Sequence, residues 1–424
     1  MRGEQRPRVS GRWPIATSTP PPASQRLAAF RFRNYRLYWA GQLATNVGSW
    51  MQVVATGWLV LELTDSPAYL GLNGAFLAVP ILVFSLVGGV VADRVDRYRL
   101  MIGAQIAQLV PDVVLAVLVG TGTVQVWQVF AYSLIGATIR GLTTPARQAF
   151  VPSLVPRPAL LSAIALNSIL WQGAAVLGPS VAGLILAAWG TPGNFYLNAG
   201  SDVVSLVLLL LVRVPAVPPR VSTRSPWQGL AAGARYIWEQ PSVRGLLLAT
   251  AGISLLGRSY TQLMPLFARD VLDVGPTGLG LLLTMPGLGT ILAALGLATA
   301  GAVPRKGCWF LAASIVLAIT LAIFAASTVF LLSLGVLLIV GVAATASTTL
   351  ANTLVQEEVA DRVRGRVMGF YMAATQGMTP LGALPGGLLA EVFGGPFAVG
   401  LGAGCLLLLL LALTLRTDAV RRLG

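Results

Sequence analysis

The sequence contains no histidine and only one lysine, Lys306, among its 424 residues. The absence of histidine excludes zinc sites of the HExxH type and nucleophilic sites of the Ser-His or Cys-His type. Because Lys306 lies in the segment VPRKGC, the chain has no GxxxxGK phosphate-binding loop, which excludes an ATP-driven pump of the usual kind. An intramembrane enzyme would need some other nucleophile–base pair, so we expect no enzymatic activity and no cofactor.

Acidic residues and cysteines are also scarce. The chain has 15 acidic residues against 29 lysines and arginines, and its net charge is +14. Cys308 and Cys405 lack the spacing of a metal site or a disulfide framework, so we expect two inert core residues and no metal. A nucleic-acid footprint would concentrate basic residues on a soluble domain, and the sequence offers none, so we expect no nucleic-acid partner.

Apolar residues, in contrast, are abundant. Hydrophobic residues make up 55% and charged residues 10% of the chain, and the mean hydropathy is +0.77. A chain this apolar requires a lipid bilayer as its surroundings. Twelve runs are long enough to cross one, near 38–62, 68–92, 100–120, 126–148, 161–188, 195–213, 243–268, 277–300, 307–326, 329–351, 366–390 and 396–415. We number them spans 1 to 12 and predict an all-α membrane protein with twelve transmembrane helices.

The chain also repeats itself. Residues 172–190 and 376–394 are identical at seven of nineteen aligned positions. Upstream, a group of residues recurs at a spacing of 209, namely Gly48, Pro67, Leu70, Gly71 and Leu72 as Gly257, Pro276, Leu279, Gly280 and Leu281. Membrane proteins built from two related halves are typically transporters with a substrate site between the halves. The repeat therefore favours a transporter of two six-helix bundles.

The distribution of basic residues predicts the orientation, because lysine and arginine accumulate on the cytoplasmic side. With the N-terminus inside, the inner loops hold, among others, Arg97, Arg147, Arg213, Arg305 and Arg364, and only Arg269 lies outside. We expect both termini in the cytoplasm and the chain in the cell (inner) membrane.

The same boundaries divide the chain into five parts. These are an N-terminal tail at 1–35, a first bundle at 36–213, a linker at 214–242, a second bundle at 243–415 and a C-terminal tail at 416–424. Within the linker, Ser225 as N-cap and Pro226 at the first helical position predict an amphipathic helix. Nothing in the pattern requires more than a monomer.

The loop after span 2 carries a motif, GGVVADRVDRYR from Gly88 to Arg99. It resembles the GxxxDRxGRR/K signature of the major facilitator superfamily, in which it forms a conformational latch. The resemblance implies this role for Gly89, Asp93, Arg94 and Arg97. The sequence departs from that signature at Asp96, where glycine is usual, and at Tyr98, where a basic residue is usual.

Span 5 carries a second motif, with Gly178, Pro179 and Gly183. It resembles the glycine–proline motif associated with exporters of the same superfamily. Small residues let helices approach closely, and proline frees a carbonyl that can act as a hinge. Tight packing alone would explain these residues whichever way the substrate moves.

Segments such as FRNYRLYWAGQ, LNSILWQGAAVLGP and RGRVMGFYMAATQGMTPLG extend the resemblance to the multidrug and siderophore exporter branch. The resemblance implies two pseudo-symmetric bundles that rock around a cavity bounded by spans 1, 4, 7 and 10. It implies secondary active export of a small amphiphilic molecule, such as a drug, siderophore or secreted metabolite, with proton antiport. An uptake permease of the same fold and a transport-dead membrane scaffold or sensor are the alternatives.

Span 1 supports the cavity independently. Its polar residues fall within an arc of about 120° on a regular helix, and they are Gln42, Thr45, Asn46, Ser49, Gln52 and Thr56. A polar stripe on a membrane helix faces protein or water, so hydrogen bonding between helices is the alternative to a water-filled cavity. We expect Gln42, Asn46 and Ser49 to bind substrate, with Trp50 as a weaker candidate. Through the repeat, Ser254 and Arg258 should occupy the equivalent face of span 7.

Arg140 in span 4 and Arg258 in span 7 are buried cations that break the repeat. An unpaired cation at the bilayer centre costs about 2.5–3.5 kcal/mol or more. We therefore predict that both arginines bind an anionic or polar part of the substrate. A static ion pair with Asp112 or Asp202 is the alternative.

Proton coupling needs a carboxyl group that can change its charge inside the membrane. The acidic residues within the spans are Glu62, Asp112 and Asp202. We rank Asp112 and Asp202 first, although the family resemblance places spans 3 and 6 at the periphery. Glu62 lies near the outer end of span 1, where solvent would reach it.

Overall fold

The computed structural model describes residues 27–213, 226–299 and 304–416. The tail residues 1–26 and the predicted cap Ser225 lie outside this part, as do the side chains of Gly89, Asp93 and Arg94. The described residues form helices and connecting turns and contain no strand.

The first half contains six helices. They are α1 (Arg33–Thr64), α2 (Pro67–Arg94), α3 (Arg97–Gly120), α4 (Val126–Phe150) and the segment Leu160–Leu210. This last segment breaks at Gly190, where φ is 67° and ψ is −174°, so we number its parts α5 (160–189) and α6 (191–210). Only glycine adopts such a backbone without strain, so Gly190 allows the chain to turn between two crossings.

The second half follows the linker helix α7 (Pro226–Glu239). Span 7 consists of α8 (Pro241–Gly252) and α9 (Tyr260–Leu266), with π-turns at Ile253–Gly257 and Phe267–Val271. Then come α10 (Gly275–Thr299), α11 (Lys306–Ala326) and α12 (Phe330–Glu358). Span 11 consists of α13 (Asp361–Met372), a π-turn at Ala373–Gly377 and α14 (Met378–Phe393), and span 12 is α15 (Gly395–Arg416).

Seven of the described helical segments are long and apolar enough to cross a membrane, namely Pro67–Phe84, Arg97–Gly120, Arg157–Leu210, Gly275–Thr299, Lys306–Ala326, Phe330–Glu358 and Gly395–Leu415. The segment Arg157–Leu210 holds two crossings. The other four predicted crossings are spans 1 and 4, which carry polar side chains, and spans 7 and 11, which π-turns interrupt. The fold is an all-α membrane fold in which the described helices form twelve crossings in two pseudo-symmetric bundles.

Of the glycine contacts that join the halves, two are related by the internal repeat. In the first, α2 crosses α14, and a Cβ atom placed on Gly71 would lie 2.6 Å from the Ala383 carbonyl oxygen. In the second, α10 crosses α5, and a Cβ atom on Gly280 would lie 2.7 Å from the Pro179 carbonyl oxygen. Both gaps are too small for any side chain, so the helix backbones touch directly.

The equivalence of the two contacts follows from the sequence spacings. Gly71 corresponds to Gly280 at the spacing of 209, and Gly183 corresponds to Gly387 at the spacing of 204. Gly71 faces Gly387, and Gly280 faces Gly183. The glycine–proline motif of span 5 thus lies at the contact between the halves.

Polar contacts also join the halves at one membrane face. We call the face at which α1 begins the tail face, and the opposite face the far face. At the far face, Arg269 Nη2 lies 2.6 Å from Asp65 Oδ1. Glu391 accepts hydrogen bonds from Ser66 Oγ at 2.6 Å and from the Ala68 N–H at 3.1 Å. Among the described residues no comparable bond joins the bundles at the tail face, so the structure is closed at the far face.

Two further features concern predictions from the sequence. Cys308 and Cys405 have exposed side chains, so the expectation that they lie in the core is wrong. The linker helix α7 packs against α13, because a Cβ atom at Gly233 would lie 3.1 Å from Arg366 Cβ and from the Phe370 ring. The Tyr236 hydroxyl accepts a hydrogen bond from the Ala360 N–H at 3.4 Å.

Candidate substrate cavity

A cavity of about 570 Å³ extends from the middle of the first bundle toward the tail face. Its volume is within the range of sites that bind drug-sized molecules. It is lined by Tyr38, Gln42, Thr45, Asn46, Ser49, Trp50, Gln52, Val53, Gln105, Gln108, Ile139, Arg140, Thr143, Thr144, Arg147, Gln148, Asn167, Trp171, Gln172, Ala175 and Asp202. All of these residues belong to the first half, on α1, α3, α4, α5 and α6.

The polar stripe of α1 forms one wall of this cavity. Its hydrogen bonds turn back onto its own helix, since Asn46 donates to the Gln42 carbonyl at 2.6 Å and Ser49 donates to the Thr45 carbonyl at 2.8 Å. Gln42 and Gln52 are only 8% and 7% exposed, and their side-chain amides have no partner among the described residues. Bonding between helices therefore does not account for the stripe.

Trp50 also lines the cavity, although it points away from Ser49 on the helix. Helix α5 contacts Trp50 at Gly178, and the contact is so close that a Cβ atom at Gly178 would overlap the Cβ of Trp50. Because Gly178 has no side chain, α5 packs directly against the base of Trp50. The glycine–proline motif thus positions one wall of the cavity as well as the contact between the halves.

A pair of carboxyl groups lies next to the cavity, and one of them, that of Asp202, lines it. Asp112 on α3 and Asp202 on α6 are 1% and 4% exposed, and their carboxyl groups lie within hydrogen-bonding range of each other. The donors around them come from three helices, with Tyr132 to Asp112 at 2.6 Å, Gln108 to Asp112 at 3.1 Å, Asn198 to Asp112 at 3.4 Å and Gln105 to Asp202 at 2.8 Å. The second oxygen of Asp112, Oδ2, is buried and has no donor in the described part of the chain.

The helical spacing of α3 explains this cluster. Gln105, Gln108 and Asp112 are three and four residues apart, which places them on one face of the helix. That face points toward α4 and α6, which supply Tyr132 and Asp202. The sequence prediction missed Gln105 and Gln108, although their spacing relative to Asp112 could have revealed them.

Two arginines of α4 line the cavity. Arg140 and Arg147 are seven residues apart, so they share a face and are about 10 Å apart along the helix axis. Neither arginine forms an ion pair within 4.0 Å or a side-chain hydrogen bond with the described residues, although the charges of Arg140 and Asp112 act on each other without direct contact. Arg147 lies three residues before the end of α4 at Phe150, and its assignment to the cytoplasmic side stays a prediction.

Ser254 and Arg258 do not line this cavity. Ser254 is 2% exposed, and Arg258 is exposed at the break between α8 and α9. The repeat predicted that both residues face the cavity, on the assumption that span 7 is a regular α-helix like span 1. The π-turn Ile253–Gly257 has more residues per turn than an α-helix, so it rotates the following residues to another face. A substrate contact of Arg258 from outside this cavity stays a prediction.

Glu62 lies near the far face and away from the carboxyl pair. It is exposed, and it accepts hydrogen bonds from Trp58 Nε1 at 2.7 Å and Thr191 Oγ1 at 2.8 Å. It therefore joins the ends of α1 and α6 at the far face. This arrangement favours a structural role over proton coupling.

The motif after α2 makes described contacts at Arg97 and Asp96. Arg97 Nη1 donates to the Ala149 carbonyl at 3.2 Å, which ties the start of α3 to the end of α4. Asp96 is the N-cap of α3 and accepts a hydrogen bond from the Arg99 N–H at 2.9 Å. Capping explains why aspartate is suitable at the position where the superfamily signature has glycine.

Replacing Arg140 with alanine is expected to weaken substrate binding by about 10-fold or more, because a charge-assisted hydrogen bond contributes about 1.5–3 kcal/mol. Substrate affinity of the purified protein would be measured for this variant and for Arg235→Ala, whose guanidinium is exposed on α7 and paired with Glu239. Unchanged affinity in Arg140→Ala at normal expression would show that the arginine does not bind substrate.

Comparison with known proteins agrees with this architecture. Residues 24–422 match the family described as transmembrane secretion effector. The chain is 26% identical to the staphyloferrin A transporter of Staphylococcus aureus, over 82% of this chain and 87% of that protein. It is 29% identical to the enterobactin exporter EntS of Escherichia coli, over 84% of this chain and 86% of that protein.

Two further similarities concern drug efflux and the fold. The chain is 27% identical to the multidrug efflux pump Tap of Mycolicibacterium fortuitum, over 83% of this chain and 88% of that protein. A crystal structure of the nucleoside transporter NupG matches with a TM-score of 0.69 and 14% identity, over 90% of this chain and 98% of that chain. The protein is a multi-pass membrane transporter and not an enzyme, and it belongs to the transmembrane secretion effector family of the major facilitator superfamily.

Proposed function

We propose that the protein is a proton-coupled exporter of small amphiphilic molecules that works by rocker-switch alternating access. The observation that carries the proposal is the buried Asp112–Asp202 pair beside a cavity that extends toward the tail face. Curated relatives named as a siderophore exporter and a multidrug efflux pump support the direction of transport.

The carboxyl pair is suited to carry a proton. Two carboxylates at hydrogen-bonding range repel each other in a medium of low dielectric constant, so the pair is most stable when it shares one proton. A shared proton would also satisfy the buried Oδ2 of Asp112 if that oxygen faces Asp202. Because Asp202 lines the cavity, water or substrate entering from the open side can reach the pair.

The contacts between the halves suit alternating access. At the far face they include backbone contacts at glycines, apolar packing such as that of Pro265 against Gly57, and polar bonds around Arg269 and Glu391. Exposed ion pairs contribute about 0.2–1 kcal/mol each, so they can break and re-form in each cycle. Opening the far face and closing the tail face would then move the cavity from one side to the other.

The tail face is proposed to be cytoplasmic. Three arginines next to helix ends lie at the tail face, namely Arg157, Arg213 and Arg305. At the far face, the arginine among the described residues is Arg269. Positive charge accumulates on the cytoplasmic side. The cavity in this structure would then receive its substrate from the cytoplasm, as export requires.

The proposal can be tested with purified protein in vesicles that contain a pH-sensitive dye and carry an imposed proton gradient. Lipophilic drugs and ferric-chelator metabolites would be added one at a time. We expect substrate-dependent proton movement that is lost in an Asp93→Asn control, in which the latch motif is altered. If correctly folded protein moves no protons with any compound of the panel, the result would contradict coupled export and favour an uncoupled permease or a scaffold. Uptake coupled to proton entry in the same direction would indicate an uptake permease.

A further inference from the structure

Seven amide and guanidinium side chains that line the cavity have no side-chain partner in the described part of the protein. Five carry primary amides and two carry guanidinium groups, and they are Gln42, Gln52, Gln148, Asn167, Gln172, Arg140 and Arg147. Buried polar groups in folded proteins almost always have hydrogen-bond partners. Of the seven, only Gln42 and Gln52 are buried and the other five are half-buried or exposed, so these polar groups face the cavity, where water or a ligand satisfies them.

Gln42 and Gln52 are the most informative of the seven. Each is more than nine-tenths buried on α1, and each faces the cavity. They are ten residues apart, so they lie about 15 Å apart along the helix axis and mark the two ends of the polar wall. A ligand that satisfies both ends must therefore be elongated and must carry hydrogen-bonding groups along its length.

The charge balance of the cavity limits the charge of that ligand. Arg140 and Arg147 supply two positive charges, and the Asp112–Asp202 pair supplies one negative charge when it shares a proton. The cavity is then positive by one charge. A lipophilic cation would meet repulsion here and would leave the amides and guanidinium groups without acceptors.

We infer that the cavity selects elongated, oxygen-rich molecules that are neutral or anionic, and that Gln42 and Gln52 determine this specificity. Amides and guanidinium groups together donate many more hydrogen bonds than they accept, so the complementary groups on the ligand are carbonyl, hydroxamate or carboxylate oxygens. The inference rests on the proposed function for the proton shared by the carboxyl pair. It distinguishes this protein from a pump for lipophilic cations.

The test measures binding and does not require transport. Full-length protein in nanodiscs would be dialysed against two radiolabelled probes, an uncharged N-acetylated linear trihydroxamate and tetraphenylphosphonium. We expect saturable binding of the trihydroxamate and none of tetraphenylphosphonium. Gln52→Leu and Gln42→Leu should each weaken trihydroxamate binding about 10-fold, which corresponds to the loss of one buried hydrogen bond.

The control is Gln356→Leu, because Gln356 is exposed at the end of α12 and bonded to Asn352. This variant should bind like the unmodified chain. Gln148→Leu serves if a deeper variant fails to fold, since Gln148 lines the cavity but is exposed. We expect it to weaken binding by a smaller factor.

Two results would overturn the inference. One is saturable binding of tetraphenylphosphonium with an affinity equal to that of the trihydroxamate and unaffected by the glutamine variants. The other is the absence of saturable binding for the trihydroxamate and for a tricarboxylate tested in the same way. Binding without any transport in vesicles would contradict the proposed export but would leave this specificity intact, so the two failures are distinguishable.

Discussion

Replacing Gly280 with leucine is expected to abolish transport, because the halves could no longer approach at the far face. A Cβ atom at this position would already lie 2.7 Å from the Pro179 carbonyl oxygen and 2.9 Å from Gly183 Cα. Overpacking a tight contact costs about 1–3 kcal/mol, and here the neighbours are backbone atoms that cannot rotate away. The population of the closed state should therefore fall by about 10-fold or more. Substrate flux in vesicles and cross-linking of engineered cysteines across the α5–α10 contact would measure the effect.

The same helix provides a matched control. Gly296 also lies in α10, and a Cβ atom there would have nothing within 4 Å. Gly296→Leu should therefore keep both flux and cross-linking. Gly71→Leu, at the position related to Gly280 by the repeat, should repeat the defect. Normal transport by Gly280→Leu would show that the two halves do not close by this glycine contact.

Replacing Asp202 with asparagine is expected to abolish proton-driven accumulation of substrate and to retain movement down its own gradient. The amide keeps the size of the side chain and its bond from Gln105, but it cannot take up or release the shared proton. Accumulation driven by a pH gradient should fall to equal concentrations on both sides. Parallel measurements of driven accumulation and of downhill exchange in vesicles separate the two activities.

Glu62→Gln is the control for this experiment, because Glu62 is exposed near the far face and bonded to Trp58 and Thr191. It should retain proton-driven accumulation. If Asp202→Asn and Asp112→Asn both accumulate substrate like the unmodified chain, the carboxyl pair is not the coupling site.

The polar residues of span 1 show why part of the cavity was predictable. Gln42, Asn46 and Ser49 lie in a run that is otherwise apolar, and polar side chains in a membrane helix must turn away from lipid. Their spacing fixes a common face on any regular helix. The structure confirms that this face lines a cavity.

In span 7, the helix face of a polar residue could not be predicted from residue spacing. The repeat aligns Gly257 with Gly48, but the helix containing Gly257 passes through a π-turn, whereas the helix containing Gly48 is regular. No local pattern predicts a π-turn, because it depends on how the surrounding helices pack. The face of Arg258 was therefore not predictable from the alignment.

The sequence alone determined the environment, the number of crossings and the two-fold repeat of this protein. Each of these depends on composition or on residue spacing along one chain, and the transfer of apolar side chains into lipid dominates their energy. The correspondence of Gly71 and Gly280 in the repeat could also be found from the spacing. The glycines that they contact in the other bundle, Gly387 and Gly183, could not be found in this way.

Only the tertiary structure decided which polar side chains share one site. Asp112 meets Asp202 although the two residues are far apart in the sequence, and Arg147 lines the cavity together with Arg140 on the same face of α4. Such contacts depend on the angles at which helices cross and on the close approach that glycines permit. These are properties of pairs of helices, so the composition of any single helix does not contain them.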